Sequence, residues 1–77
     1  MILVNQNGNL VIETDTIWYE KNEICCLNSS NEKVILGIYL DETSAFFEFD
    51  DLLDSLREGN NYYELKPYDE SLQDEAF

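Results

Sequence analysis

Apart from carboxylates, the side chains that most often carry out chemistry in proteins are scarce in this sequence. There is no histidine, so neither the serines nor the two cysteines, Cys25 and Cys26, can have an imidazole base beside them. Covalent catalysis needs a nucleophile activated by such a base or by a lowered pKa. The sequence therefore predicts no nucleophilic enzyme and, with two cysteines and no histidine, no zinc site.

Seventeen aspartates and glutamates are the remaining candidates for chemistry. Adjacent pairs such as Asp50-Asp51 and Asp69-Glu70 could serve as acid and base or hold a divalent cation. Acid–base catalysis needs a pocket that shifts pKa values, and a small two-layer domain has little room for one. The stretch from Asp41 also lacks the alternating ligands and the glycine of a calcium loop. We expect a non-catalytic protein with no metal and no cofactor.

Charge is the most informative feature of the composition, with a net charge of −13 in 77 residues. Residues 1–40 hold five acids and two lysines, for −3, whereas residues 41–77 hold twelve acids and two basic residues, for −10. Such a surface repels nucleic acids and anionic membranes and attracts basic protein surfaces in a salt-dependent way. We expect no direct nucleic-acid binding and no membrane binding.

The expected compartment is the cytoplasm. No segment approaches the roughly 20 apolar residues of a membrane span, and residues 1–5 lack the basic and apolar regions of a secretion signal. Cys25 and Cys26 fit this compartment as free, half-buried thiols. They are adjacent, so on a strand their side chains point to opposite faces.

The chain is long enough for one domain, and apolar runs separated by turn residues predict that its first part is rich in strands. Asn7-Gly8 favours a type I′ hairpin turn between the first two. The run 33–40, apolar on both faces, predicts a central strand, in which Gly37 indicates a bulge or a close backbone approach. The predicted strands are residues 2–5, 9–13, 17–20, 24–27, 33–40 and 61–66.

One helix is predicted over residues 42–58, with Asp41 as its N-cap and Gly59 just beyond its end. Its apolar stripe at helical spacing faces the sheet and consists of Ala45, Phe49, Leu52, Leu53 and Leu56. The fold class is therefore α+β, a five- to six-stranded, mostly antiparallel β-meander with one long helix packed on it. Residues 1–66 form this single domain, and residues 67–77 form an acidic C-terminal tail.

The side of the helix opposite the apolar stripe is the candidate partner-binding site. We call it the outer helix face, and it consists of Phe47, Asp50, Asp51, Asp54 and Glu58. Like-charge neighbours at i,i+4 each cost a few tenths of a kcal/mol, and a helix selected only for stability would have a lysine in each pair. The sequence therefore predicts uncompensated acids around an exposed aromatic side chain. The alternative is a solvated face whose phenylalanine is covered by the tail or by a second copy of the chain. Asp69 and Glu70 would assist from the tail.

Residues 34–45, Val-Ile-Leu-Gly-Ile-Tyr-Leu-Asp-Glu-Thr-Ser-Ala, carry a resemblance. They resemble a group of small acidic proteins from phages and prophages of Gram-positive bacteria, in which a strand ending Leu-Gly-x-Tyr precedes a helix with an early alanine. Leu36, Gly37 and Tyr39 match the strand end, and Asp41, Glu42 and Ala45 match the helix start. The resemblance implies a phage-like context and a fold, and it carries no site residues. Small acidic phage proteins include inhibitors of host defence, anti-CRISPR proteins among them.

These observations favour an acidic interaction protein that mimics nucleic acid and inhibits a basic site on a host nucleic-acid-handling protein, such as a CRISPR effector or a restriction enzyme. The alternative is a small, non-catalytic structural or regulatory module acting as a homodimer. A third class, a small-ligand binder with a pocket between helix and sheet, is disfavoured for anionic ligands by the charge. The protein would act as a monomer or a homodimer.

Overall fold

A computed structural model describes residues 1–67 and has the predicted α+β fold, with six strands and one helix. In chain order the elements are β1 (Ile2–Val4), β2 (Val11–Glu13), β3 (Ile17–Glu20), β4 (Glu23–Leu27), β5 (Lys33–Ile38), α1 (Glu42–Arg57) and β6 (Tyr62–Glu64). Of the predicted tail, only Pro67 lies among the described residues. No helix in this part of the chain is long and apolar enough to cross a lipid bilayer.

The strands divide between two three-stranded sheets instead of forming one continuous meander. Sheet A has the order β2-β1-β6, in which β1 is antiparallel to β2 and parallel to β6. The predicted hairpin of β1 and β2 is present, but residues 5–10 connect the strands in place of a two-residue turn. The side-chain oxygen of Asn5 accepts hydrogen bonds from the backbone N–H groups of Asn9 and Leu10, both at 3.0 Å, and so stabilises this longer connection.

Sheet B is an antiparallel meander with the order β3-β4-β5. β4 is its central strand, so the prediction that residues 33–40 are central is wrong. Gln6 lies against the outer edge of β5, where its backbone N–H donates to the carbonyl of Leu36 at 2.8 Å. Its side-chain amide donates to the carbonyl of Ile38 at 2.8 Å and accepts from that residue's N–H at 2.9 Å. One glutamine thus takes the place of a strand residue and joins the two sheets.

β5 contains a bulge at Leu36, which has no partner on β4. The extra residue reverses the side-chain alternation, so Leu36 and Gly37 are both buried. Ile38 and Leu40 are 51% and 52% exposed, although the sequence pattern places them on the same face as Leu36. A Cβ atom at Gly37 would lie 3.0 Å from the ring of Tyr39, which confirms the close backbone approach.

The core brings together both sheets and α1. Its buried side chains include Leu3, Ile24, Cys26, Leu36, Ala45, Leu52 and Leu65. Phe49 packs against this core as predicted, and Leu53 is half-buried. Leu56, however, is 39% exposed, so its predicted place in the core is wrong. Glu48, at 5% exposure, takes a core-facing position in the middle of the helix instead.

Candidate protein-binding site on helix α1

The ends of α1 are set by the residues that the sequence predicts. The carboxylate of Asp41 accepts a hydrogen bond from the backbone N–H of Ser44 at 2.8 Å, as an N-cap should. This hydrogen bond holds the pKa of Asp41 below its usual value. At the other end Gly59 has a φ of 88°, the left-handed conformation that terminates many helices. The helix is therefore a well-defined scaffold for the side chains along its outer face.

Glu48 lies on the buried face of α1, and its carboxylate binds two residues near the end of the described chain. Its carboxylate accepts hydrogen bonds from the Tyr63 hydroxyl at 2.7 Å and from the backbone N–H of Lys66 at 2.9 Å. The Tyr39 hydroxyl donates to the carbonyl of Lys66 at 2.9 Å. Burial, with the Glu48 hydrogen bond as a second cause, raises the pKa of Tyr63 far above its ordinary value. Glu48 and Tyr39 thus hold the Lys66 backbone in place, and Tyr63 orients the Glu48 carboxylate.

Phe47 lies on the outer face as predicted and is 61% exposed. It begins a series of neighbouring rings: its ring centroid is 5.8 Å from that of Phe46, which is itself 5.8 Å from Tyr19. Tyr19 in turn lies 5.3 Å from Phe49 at the core. An exposed aromatic side chain is therefore connected through packed rings to the interior, which limits its freedom before any partner binds.

Two of the acids on the outer helix face have cations, which corrects the expectation that they are uncompensated. The Lys66 ammonium lies 2.7 Å from the carboxylate of Asp51. Arg57, one turn along the helix, lies 2.8 Å from the carboxylate of Asp54. The hydrogen bond to Asp51 raises the pKa of Lys66 above its usual value. Asp51 and Asp54 therefore contribute less net charge to this face than the sequence suggests.

Asp50 and Glu58 differ from these two acids. Neither has an ion-pair partner among residues 1–67. Asp50 is half-buried, and burying a carboxylate without a counter-charge is unfavourable. Glu58 is the C-cap residue, where a negative charge meets the negative end of the helix dipole. These two positions carry the uncompensated charge of the outer helix face.

Asp69 and Glu70 lie outside the described residues. Lys66, near the end of the described chain, is held by Glu48 and by Asp51.

A second group of acids, which the sequence reasoning missed, lies on the outward face of sheet B. Potential ligand atoms of Glu20, Glu23 and Cys25 lie within 4.8 Å of one another. Lys33 binds Glu20 and lies 4.0 Å from Glu23, and it holds the pKa of Glu20 below its usual value. Burial raises the pKa of Cys25 to about 11, which opposes formation of the thiolate that metals bind. The lysine acts as the cation of this cluster.

Cys25 and Cys26 are both free thiols and are fully buried, deeper than the half-buried position expected from the sequence. Cys26 belongs to the core. Cys25 pairs with Trp18 across the sheet, and its thiol lies 3.8 Å from the carboxylate of Glu20. Neither thiol is placed to act as a nucleophile.

A polar hollow of about 260 Å³ lies between two connecting segments of the chain. Its lining residues are Glu13, Thr14, Asp15, Thr16, Leu27, Asn28, Ser29 and Asn31. The buried Thr14 hydroxyl donates to the carbonyl of Leu27 at 2.8 Å and accepts from the N–H of Thr16 at 3.2 Å. The bond to Leu27 joins the two segments and the bond from Thr16 holds the turn, so the threonine stabilises the fold.

The geometry thus favours the outer helix face over the sheet cluster and the hollow as a place for a partner to bind. No protein-family model, no curated protein and no solved structure matches this chain.

Proposed function

We propose that this protein is a phage-type acidic interaction protein that binds and inhibits a basic site on a host nucleic-acid-handling protein. The observation that supports this most is the combination of a 61% exposed Phe47 with two acids, Asp50 and Glu58, that have no cation among residues 1–67. In this proposal the protein acts in the host cytoplasm without catalysing a reaction. It occupies the basic site in place of nucleic acid.

The acids of the outer helix face lower the stability of the free protein. Asp50 and Asp54, and Asp54 and Glu58, are like-charge neighbours at i,i+4, and each pair costs about 0.2–0.5 kcal/mol on an exposed helix. Glu58 adds a cost through the helix dipole. A basic partner surface would remove these costs, because its cations supply the missing counter-charges.

The spacing of the acids indicates what such a partner looks like. Eight residues separate Asp50 from Glu58, which corresponds to about 12 Å along the helix axis. The four carboxylates over this length give about one charge per 3–4 Å, close to the one per ~3.4 Å of a single DNA strand. Asp51 and Asp54 are paired with Lys66 and Arg57, so the net charge over this length is lower than that of a DNA strand. The helix therefore fits a short basic groove with few cations better than a channel for a full duplex.

Inhibition of purified nucleases tests the proposal. A panel of restriction enzymes and CRISPR effectors is assayed for cleavage of a labelled substrate with rising amounts of this protein. The site variant is Asp50→Asn/Glu58→Gln, and the control variant is Glu13→Gln/Glu32→Gln, two exposed acids outside the helix with the same change in net charge. Both substitutions are close in shape to the natural residue, and they spare the ion pairs of Asp51 and Asp54.

We expect at least one nuclease to be inhibited by the natural chain and by the control variant. The site variant should inhibit it roughly 5- to 30-fold less, because two exposed charge contacts are worth about 1–2 kcal/mol together. If no nuclease is inhibited, the proposal fails. If both variants weaken inhibition equally, the outer helix face is the wrong surface.

The homodimer remains the second candidate, and one observation favours it: Phe46 and Phe47 are neighbouring aromatic side chains exposed by 43% and 61%. Size exclusion with light scattering distinguishes it. A dimer that dissociates when Phe47→Ser is introduced would assign this face to a second copy of the chain. A monomer at the concentrations that inhibit a nuclease would support the inhibitor.

A further inference from the structure

We infer that an arginine side chain of the partner binds at a notch on α1 formed by Phe46, Phe47 and Asp50. This notch lies at the edge of the outer helix face. This inference rests on the proposed function and names the chemical group that the site would recognise. Three features must coincide at this notch: two exposed aromatic rings, a carboxylate with no cation among residues 1–67, and a spacing that brings them together.

The rings supply the first feature. Phe46 and Phe47 are 43% and 61% exposed, and their centroids lie 5.8 Å apart with an interplanar angle of 56°. Both rings therefore have exposed surface that a planar group can reach, although Phe46 also packs edge-on against Tyr19. A guanidinium placed over such a face is attracted by the electron-rich ring, and arginine uses this interaction more often than lysine.

Asp50 supplies the carboxylate, and its position in the helix brings it next to both rings. On a helix it is the i+4 neighbour of Phe46 and the i+3 neighbour of Phe47, so the three side chains share one patch with Cβ atoms about 5–6 Å apart. The cations closest in sequence are already bound, Arg57 to Asp54 and Lys66 to Asp51. The half-buried carboxylate of Asp50 is therefore available to an incoming cation.

Arginine fits this arrangement better than lysine. Its planar guanidinium can stack on a ring and still donate two parallel hydrogen bonds to a carboxylate. The lysine ammonium is a compact, strongly hydrated charge that gains less from the rings. The negative charge of the whole chain attracts both residues, so only the notch can produce a preference for arginine that depends on the two phenylalanines.

The test uses two fluorescein-labelled peptides, nona-arginine and nona-lysine, titrated with the full chain and followed by fluorescence anisotropy at two salt concentrations. We expect both peptides to bind more weakly at high salt, and nona-arginine to bind roughly 5- to 30-fold more tightly. Phe46→Leu/Phe47→Leu should lower this preference at least threefold. Asp50→Asn should weaken nona-arginine more than nona-lysine.

Tyr62→Leu is the matched control, because Tyr62 is an exposed aromatic residue on sheet A and should leave the preference unchanged. If the double phenylalanine variant does not fold, Phe47→Leu alone carries the test, since this side chain is the more exposed of the two. An unchanged preference without the phenylalanines, or an equal loss in Tyr62→Leu, overturns the inference. A dimer that occupies the face, detected by light scattering, overturns it as well.

The two proposals can fail separately. If both peptides bind with salt-dependent but equal affinity, the arginine notch is wrong and the acidic binding face stands. If neither peptide binds at low salt, the charge argument for the proposed function fails together with the notch.

Discussion

Replacement of Glu48 should destabilise this protein far more than replacement of any acid on the outer helix face. Its buried carboxylate accepts hydrogen bonds from the Tyr63 hydroxyl at 2.7 Å and the Lys66 N–H at 2.9 Å. In Glu48→Leu both donors lose their acceptor in a partly buried place, at a cost of about 1–3 kcal/mol each. The expected loss of about 2–6 kcal/mol is a large part of the roughly 4–12 kcal/mol available to a chain of this size.

Glu48→Gln separates charge from hydrogen bonding. The amide oxygen can still accept from one or both donors, so we expect a smaller loss of about 1–2 kcal/mol. Tyr63→Phe removes one donor, and a double-mutant cycle with Glu48→Gln should give a coupling free energy of at least about 0.5 kcal/mol. The Lys66 backbone donor remains in every variant, and its ammonium, 3.8 Å from the Glu48 carboxylate, loses that ion pair in Glu48→Gln whether or not the Tyr63 hydroxyl is present.

Urea unfolding followed by the fluorescence of Trp18 measures these changes, with Glu58→Gln as an exposed control expected to change stability by less than about 0.5 kcal/mol. A Glu48→Leu variant as stable as this control would refute the anchor. A coupling near zero would show that Tyr63 and Glu48 do not share a hydrogen bond in solution.

Three further predictions follow from single features of the fold. Glu58→Lys should raise the free energy of unfolding by about 0.3–1 kcal/mol in urea, because it places a cation at the helix C-terminus; a decrease would contradict the helix-dipole argument. Cys25 and Cys26 should react with a thiol reagent at pH 8 only after unfolding. Burial raises the pKa of both thiols, so the native protein protects them fully below the ordinary thiol pKa. This protection is lost as the pH rises through the pKa in the folded protein, about 11 for Cys25. Rapid reaction of the native protein at pH 8 would contradict this prediction. Gly37→Ala should cost about 1–3 kcal/mol, because the new methyl group would lie 3.0 Å from the Tyr39 ring; an unchanged urea midpoint would show that the ring moves away.

Local signals explain what could be predicted from the sequence. Asp41 and Gly59 determine the helix ends through their own backbone and side-chain preferences, so the helix was placed to within one residue. Gly37 is also a local signal, because a glycine within a strand predicts a close approach to the backbone, here by the Tyr39 ring. Each of these features depends on a few consecutive residues.

Long-range contacts explain what could not be predicted. β6 pairs with β1 across almost the whole described chain, and no local pattern indicates a parallel pairing of that kind. The bulge at Leu36 then reverses the faces of the following residues, which a strict alternation cannot represent. The pair of Asp51 and Lys66 likewise depends on the strand that carries the lysine.

Two features of the helix follow directly from the spacing of residues in the sequence. Glu48 lies three residues after Ala45 and four before Leu52, so helical spacing alone places it on the buried stripe. Arg57 follows Asp54 by three residues, a spacing that favours an ion pair. The first feature depends on position in the helix and not on residue type, and the second depends on pairing and not on net charge.

Mapping the contact surface by NMR tests the central claim most directly. The isotope-labelled chain is titrated with the nuclease that it inhibits, and backbone amide signals are followed in the free and bound states. We expect signals from residues 46–58 to shift or broaden and those of β1, β2 and β6 to stay unchanged. Changes centred on either sheet, with the helix signals unaffected, would contradict it.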